Sequence, residues 1–362
     1  MGGLMTVADD PGRERSRNEG GGASATLARR LIADMQHSAD LAALTDGASR
    51  RWPGRLLAET RFHLAAMVNA LELAIEAALA DSPARAAVEA LGQGYSRRAI
   101  EREPGLLSPD LLGHLRRRAA VATLLRQAGA MRPRGMPPAM TSIALEPPQA
   151  DALAALAIAE QGWCAPMLLD AAMRPDLPAE PFHDLAWSVA ALLVQGCERT
   201  AEVADPAIIR AIAQAAEAVV AHHDEGAGAI ALARRFARGV PAPMRAALAR
   251  AALADARLLP FAALAEGETG LPIELTIEVL LDADDMPRHA LFRLMAIDDT
   301  TAFRAVESLA PFIGAVADGD EALARFVESY RLHDCARAER WLASVMQPRA
   351  LADKLALIGH PR

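Results

Sequence analysis

Residues 54–81 read GRLLAETRFHLAAMVNALELAIEAALAD, and this stretch indicates the fold class. Its apolar residues recur every three or four positions, which is the period of an amphipathic α-helix. Alanine, its most frequent residue, has the highest intrinsic helix propensity, by roughly 0.5 kcal/mol per residue over β-branched residues. Local preference and periodicity therefore both predict a long helix.

Four polar residues of this predicted helix share one narrow stripe. The stripe consists of Arg61, Asn69, Glu72 and Glu76, which fall within about a quarter turn of one another. The apolar arc covers most of the remaining surface and includes Phe62, Met67, Leu71, Leu73 and Ile75. A helix with so wide an apolar face is expected at the centre of its bundle, with the polar stripe facing outward.

The same composition continues from about residue 23 to residue 358. Hydrophobic residues make up 52% of the chain and aromatic residues only 4%, so aliphatic side chains must fill the interior. The nearest candidate for a β-strand is Met140 to Leu145, a single short run between prolines. The sequence therefore predicts an all-α protein. Helices are expected near residues 25–45, 54–81, 83–92, 109–130, 149–160, 164–173, 178–198, 206–223, 226–238, 242–255, 258–266, 272–283, 287–297, 300–316, 320–333 and 335–357.

Three helix starts carry the same local signal, a residue with a side-chain oxygen followed by proline. The pairs are Ser82-Pro83, Ser108-Pro109 and Asp205-Pro206. The oxygen can accept a free backbone N–H of the first turn, and proline is suited to the first helical position. We expect a helix to begin at each pair.

A proline-dense stretch at residues 131–148 interrupts the helical pattern, because neither a helix nor a central strand tolerates this density. We interpret it as a linker between an N-terminal helical bundle, residues 24–130, and a helical-repeat domain, residues 149–362. Segments of about 10 to 20 residues separated by short turns are typical of helix pairs stacked into an α-solenoid. We expect a HEAT-like stack, with a plain multi-helix bundle as the alternative. Residues 1–23 lack an apolar segment and are expected to form a disordered tail.

Charge and cysteine content exclude several classes of function. A formal net charge of −8 argues against a general nucleic-acid binder, which needs a basic surface. Three widely spaced cysteines support neither a disulfide framework nor a zinc ribbon. The longest run without a charged residue, Leu185 to Cys197, fits a buried helix and is too short to span a bilayer. We expect a cytoplasmic protein without cofactor, metal or membrane span.

Arginine is dense between Arg85 and Arg134, which makes this part of an acidic chain locally basic. The asymmetry suggests an acidic partner, such as a phosphate or another protein. The candidate partner-binding residues are Arg97, Arg98, Arg116 and Arg117. A solvated face with scattered ion pairs is the alternative, because consecutive arginines fan out around a helix and cannot form one stripe.

One group of residues supports an alternative with chemistry. His183 and Asp184 begin one predicted helix, and His222 and His223 end the next. Histidine and aspartate from neighbouring helices can hold a divalent metal that activates water. The group resembles in outline a metal-dependent phosphohydrolase of the His-Asp type, although the upstream histidine and the Gly-Tyr-Pro signature of that family are missing. Helix capping and the macrodipole explain the same residues without a metal.

A second alternative places a phosphoacceptor at His63, as in the helical bundles of phosphotransfer modules. That role requires an exposed histidine. His63 lies opposite the polar stripe of its helix, so we expect it to point into the core.

The carboxyl-terminal half resembles a known family over Leu271 to Asp284 and Leu291 to Ile297. That family consists of alphaproteobacterial helical proteins defined by a domain of unknown function with HEAT-like repeats. The resemblance implies a cytoplasmic bacterial protein, with a link to signalling or cell-surface regulation, and supplies no catalytic residue. We therefore expect a non-catalytic protein-interaction or scaffold protein, with the phosphohydrolase or a degenerate relative of it as the alternative.

Overall fold

The computed structural model describes residues 35, 37–44, 53–133, 135–165, 175–201, 205–282, 284–313, 320–348 and 351. All regular structure in these ranges is helical, which confirms the all-α class. The predicted tail at 1–23, nearly all of the helix predicted at 164–173, and the first ten residues of the helix predicted at 25–45 lie outside the described residues. None of the described helices is both long enough and apolar enough to cross a bilayer.

The helices are numbered here in chain order, starting after residues 37–44, which are also helical. They are α1 (Gly54–Ala78), α2 (Ala84–Glu89), α3 (Tyr95–Arg102), α4 (Pro109–Met131), α5 (Pro147–Cys164), α6 (Ala179–Ala201), α7 (Pro206–Ala221), α8 (Ala229–Gly239), α9 (Ala242–Ala254), α10 (Leu258–Thr269), α11 (Ile273–Leu281), α12 (Asp285–Leu294), α13 (Asp299–Ile313), α14 (Asp320–Arg331) and α15 (Cys335–Val345).

Most helices lie within a few residues of the predicted segments, with two differences. The last helix ends at Val345, although the prediction continues to residue 357, and residues 349, 350 and 352–357 lie outside the described residues. The helix α3 is absent from the prediction, because Gly92 and Gly94 precede it and four of its eight residues are charged. Both glycines adopt positive φ, 77° and 68°, which is the geometry of a turn.

The predicted caps form at two of the three sites. Ser108 Oγ accepts the N–H of Leu111 at 3.4 Å, and an Asp205 carboxylate oxygen accepts the N–H of Ala207 at 2.8 Å. At the third site the Ser82 hydroxyl accepts the N–H of Ala84, the first residue of α2, at 3.2 Å, and Pro83 takes the cap position. The side-chain oxygen satisfies a free backbone donor in all three places.

The surface pattern predicted for α1 is only partly right. His63 is fully buried, as expected. Phe62 and Leu73, assigned to the apolar arc, are 41% and 42% exposed, and Glu72, assigned to the outward stripe, is only 3% exposed. Glu72 is buried because α3 packs over it. Its carboxylate accepts the backbone N–H groups of residues 94 and 96 at 2.7 Å and of residue 95 at 3.2 Å.

Two buried cores hold the helices together. The amino-terminal core combines α1 to α3 and the first half of α4 with α6 and α7, and includes Leu57, Met67, Leu71, Ile75, Val88, Ile100, Leu115, Phe182, Leu193 and Ile212. The carboxyl-terminal core combines the second half of α4 with α5 and α8 to α14, and includes Val121, Leu156, Trp163, Phe236, Phe261, Ile277, Phe292 and Tyr330.

Helices far apart in sequence meet in both cores. The helix α1 packs against α7, and α4 packs against α11. In a solenoid each repeat contacts only its neighbours, so these contacts do not confirm the HEAT-like stack. The amino-terminal core also contains residues from both sides of the predicted linker. The division into an N-terminal bundle and a repeat domain stays a prediction.

The proline-rich segment 131–148 is held against α9 by one buried carboxylate. Asp255, 4% exposed, follows the last residue of α9. Its two oxygens accept the N–H groups of Ala139 and Met140 at 2.8 Å and 2.9 Å, and one of them also accepts a hydrogen bond from Arg132 at 2.8 Å. The segment is therefore anchored to the body of the protein at this point.

The same left-handed turn follows α9 and α12. Ala256 and Ala296 have φ of 53° and 51°. In each turn the next residue donates its N–H to the carbonyl five positions back, at 2.8 Å and 2.9 Å, as in a Schellman motif. Two helix connections in the region predicted to contain helical repeats thus share one geometry.

Candidate functional site

The structure separates the four arginines predicted to bind a partner. Arg116 and Arg117 both face Glu278 of α11, 161 residues from Arg117 in sequence. An Arg116 Nη atom lies 3.5 Å from the Glu278 carboxylate, and Arg117 forms a shorter ion pair with the same oxygen. These two side chains join α4 to the carboxyl-terminal core.

Arg97 and Arg98 lie on α3, where their surroundings differ. Arg98 is exposed and donates from Nη1 to the carbonyl of Gln93 at 2.6 Å. Arg97 is half-buried, and its Nε is enclosed without a hydrogen-bond acceptor among the described residues. Arg97 lines the wall of a pocket between α1 and α3.

This pocket, called the α1–α3 pocket below, has a volume of about 300 Å³. Each helix contributes residues spaced three and four positions apart, so each presents a single face. The residues lining it are Leu44, Arg61, Leu64, Ala65, Val68, Arg97, Ile100, Glu101, Pro104 and Leu107. The lining is mostly apolar with a few charged groups, which is typical of small-molecule sites.

Two polar contacts shape this pocket. Glu72 fixes the amino end of α3 on α1 by accepting the N–H groups of residues 94, 95 and 96. Arg61 donates from Nε to the carbonyl of Leu44 at 2.5 Å and so ties the preceding helical residues to α1. The pocket walls are therefore set by contacts 17 to 24 residues apart in sequence.

A second concave surface, the α6–α7 groove, is wider and more open. Its volume is about 410 Å³. It is lined by Trp187, Ala190, Ala191, Val194, Gln195, Glu198, Ile209, Ile212 and Ala213. Glu198 is the one charged side chain in this lining, and Trp187 is half-buried.

The three histidines of the alternative metal site form hydrogen bonds with other groups. His183 Nε2 accepts the indole N–H of Trp187 at 3.1 Å, and Asp184 is exposed. His222 Nδ1 donates to a carbonyl of its own helix at 2.6 Å. His223 Nε2 donates to the Leu177 carbonyl at 2.9 Å, and its ring stacks on Phe182 at 3.7 Å.

Each of these contacts uses one ring nitrogen and leaves the second one unused, so the hydrogen bonds alone do not decide the question. Within the ranges that the structure describes, no group of three or more His, Cys, Asp or Glu side chains could hold a metal. The structure does not bring the four residues together as a phosphohydrolase site.

His63 is enclosed and stays neutral near neutral pH. Burial is the main cause that lowers its pKa to about 4, and Glu59, 3.3 Å away, opposes the shift. Glu59 is held in turn by Arg126 at 2.6 Å. An enclosed ring of this kind is not reachable by a phosphoryl donor.

A buried polar cluster joins the two cores and has no local signal in the sequence. One carboxylate oxygen of Asp176 accepts the indole N–H of Trp163 at 2.5 Å and the N–H of Ala229 at 3.0 Å. Arg118 donates to the Asp176 carbonyl at 2.8 Å and lies over the Trp163 ring. Burial lowers the pKa of Arg118 to about 10 and holds the pKa of nearby His114 well below its usual value. Each group is anchored or enclosed, so we assign the cluster a structural role.

Comparison with known proteins adds no functional assignment to these surfaces. No family model matches the chain, and no curated protein or solved structure is significantly similar to it.

Proposed function

We propose that this is a non-catalytic interaction protein that binds an amphipathic helix of a partner protein in the α6–α7 groove. The observation that carries the proposal is the groove itself, an open apolar surface between two long helices that pack together. Seven of its nine lining residues are apolar, and Trp187 among them presents a large ring beside small alanines. Helix-in-groove recognition uses this kind of surface.

The positions on α6 indicate which helix would fit. Trp187, Ala191 and Val194 follow one another at intervals of four and three residues, so they form a stripe along the helix. Asp184 precedes this stripe and Glu198 ends it, both on the same face by register and both exposed. A complementary partner helix would carry apolar residues at the same spacing with lysine or arginine at its ends.

Cellular location is part of the same proposal. The three cysteines are free thiols, and Cys197 is buried in α6. Free thiols without disulfides fit a reducing compartment. We propose a cytoplasmic scaffold, in keeping with the expected link to bacterial signalling.

The test is a selection of helical peptides from a random displayed library against the wild-type protein. The groove variant is Ala191→Arg, since Ala191 is exposed and its replacement fills the groove without entering the core. The matched control is Ile158→Arg on α5, a 74% exposed apolar position outside the groove. We expect selected peptides to share apolar residues at helical spacing and basic ends, and to bind the control variant as well as wild type.

Binding of those peptides to Ala191→Arg should fall at least about tenfold, because the arginine occupies the groove and opposes the basic ends. Higher salt should weaken binding to the wild type, since Asp184 and Glu198, which would pair with the basic ends of the peptide, are solvent-exposed. Selected peptides that bind both variants equally would show that the partner surface lies elsewhere.

A further inference from the structure

We propose that the α1–α3 pocket binds an apolar α-amino acid. Its carboxylate would pair with Arg97, its ammonium group with Glu101, and its side chain would lie among the apolar residues of the two helices. This site is separate from the α6–α7 groove, and the proposal does not depend on the groove binding a protein.

The size and walls of the pocket fit a ligand of this class. Its volume of about 300 Å³ lies at the lower end of the range of small-molecule pockets, which suits a ligand the size of leucine. Seven of the ten lining residues are apolar, including Leu64, Val68, Ile100 and Leu107. These walls can bury an aliphatic side chain.

The charged lining residues fit both ends of a zwitterion. Arg97 and Glu101 are four positions apart on α3, so their side chains are neighbours on one helix face. No ion pair joins them within 4 Å, and no other carboxylate among the described residues lies within 4 Å of the Arg97 guanidinium. The carboxylate and the ammonium group that an α-amino acid carries on one carbon atom could engage the two residues together.

The third charged lining residue has a different role. Arg61 already donates to the Leu44 carbonyl, and both residues line the pocket. The Nε–H of Arg61 is therefore already used within the protein, whereas the Nε–H of Arg97 has no acceptor among the described residues. An uncharged apolar side chain suits a lining that also includes Leu44 and Pro104.

The experiment is isothermal titration of L-leucine into the full-length protein. We expect saturable binding at one site. Arg97→Gln and Glu101→Gln should each weaken it at least about tenfold, since each removes a charge-assisted contact. The matched control is Arg98→Gln, which neutralises an exposed neighbour outside the pocket and should change affinity by less than about twofold.

Two further measurements test the contributions of the ligand's amine and of the pocket volume. The ligand 4-methylpentanoate lacks the amine and should bind at least about tenfold more weakly than leucine to the wild type. Ala65→Phe, which fills the pocket without a change of charge, should abolish binding, whereas Ala191→Arg should leave it unchanged. The proposal is overturned if leucine does not bind, if 4-methylpentanoate binds as well, or if Arg97→Gln and Arg98→Gln have equal effects.

Discussion

Glu72 and Asp255 are two buried carboxylates that anchor distant segments, and they do so with different partners. Glu72 lies inside α1 and accepts three consecutive backbone N–H groups at the start of α3. Asp255 lies just after α9 and accepts hydrogen bonds from two backbone N–H groups and from the Arg132 guanidinium. No arginine pairs with Glu72 within the described residues. Backbone donors at a helix start can therefore satisfy a buried carboxylate without a neighbouring cation.

The largest expected effect comes from breaking the Glu72 contacts. Glu72→Gln replaces one accepting oxygen with a donor group, which faces a backbone N–H and leaves it unsatisfied. We expect a loss of about 3 kcal/mol in the free energy of unfolding, because charge-assisted contacts are lost in a buried site. Urea denaturation measures it. The matched control is Glu76→Gln, one turn further along α1 and less buried, which should change stability by less than about 0.5 kcal/mol. Equal losses in the two variants would contradict the role of Glu72.

The second effect is a pH dependence of stability caused by two buried histidines, one in each core. Burial lowers the pKa of His63 in α1 and of His289 in α12 to about 4 each. Both rings stay neutral in the folded protein, whereas the unfolded chain protonates them near pH 6.5. The unfolded state thus binds more protons between pH 6.5 and about 4, so stability is full above this window and falls as the pH drops through it.

For His63 we expect this loss to be roughly 2 to 3 kcal/mol across the window. Denaturation curves at several pH values should show that His63→Gln and His289→Gln each flatten the dependence. If both variants flatten the pH dependence to a similar extent, the two buried histidines behave alike. The two regions then differ in how their buried carboxylates, Glu72 and Asp255, are satisfied. A pH profile unchanged in both variants would contradict the assignment of buried neutral rings.

The smallest effect comes from the ion pair between Asp255 and Arg132, which has no counterpart at Glu72. A double-mutant cycle with Asp255→Asn and Arg132→Gln should give a coupling of about 1 kcal/mol, because Arg132 is partly exposed and water screens the pair. The single change at Asp255 should cost more than the change at Arg132, since it also affects the N–H groups of Ala139 and Met140. A coupling near zero would mean that Asp255, like Glu72, depends on backbone donors alone.

Much of the fold could be predicted because it depends on neighbours in sequence. Helix periodicity, the caps at Ser108 and Asp205, and the inward position of His63 need only residues within a few turns of one another. The buried position of Glu72 could not be predicted in this way. A helical wheel describes α1 alone, and the group that covers Glu72 belongs to a helix more than 20 residues later.

The candidate sites show the same limit. Local charge density selects Arg97, which does line a pocket, but it also selects Arg116 and Arg117, which pair with Glu278 across 161 residues. The apolar face of the α6–α7 groove and the polar cluster around Asp176 depend on which helices meet. The spacing of residues within one segment does not show which other helix packs against it.

The anchoring of α3 by Glu72 also has a consequence for the dynamics of the pocket. An eight-residue helix is too short to be stable by itself in water, where isolated helices below about 12 to 15 residues are marginal. The pocket wall therefore exists only while α3 is folded against α1. The equilibrium between this ordered state and a locally unfolded one involves α3 as a small cooperative unit. Any ligand that binds between α1 and α3 would slow amide hydrogen exchange at residues 94–96, because it shifts this equilibrium toward the ordered helix.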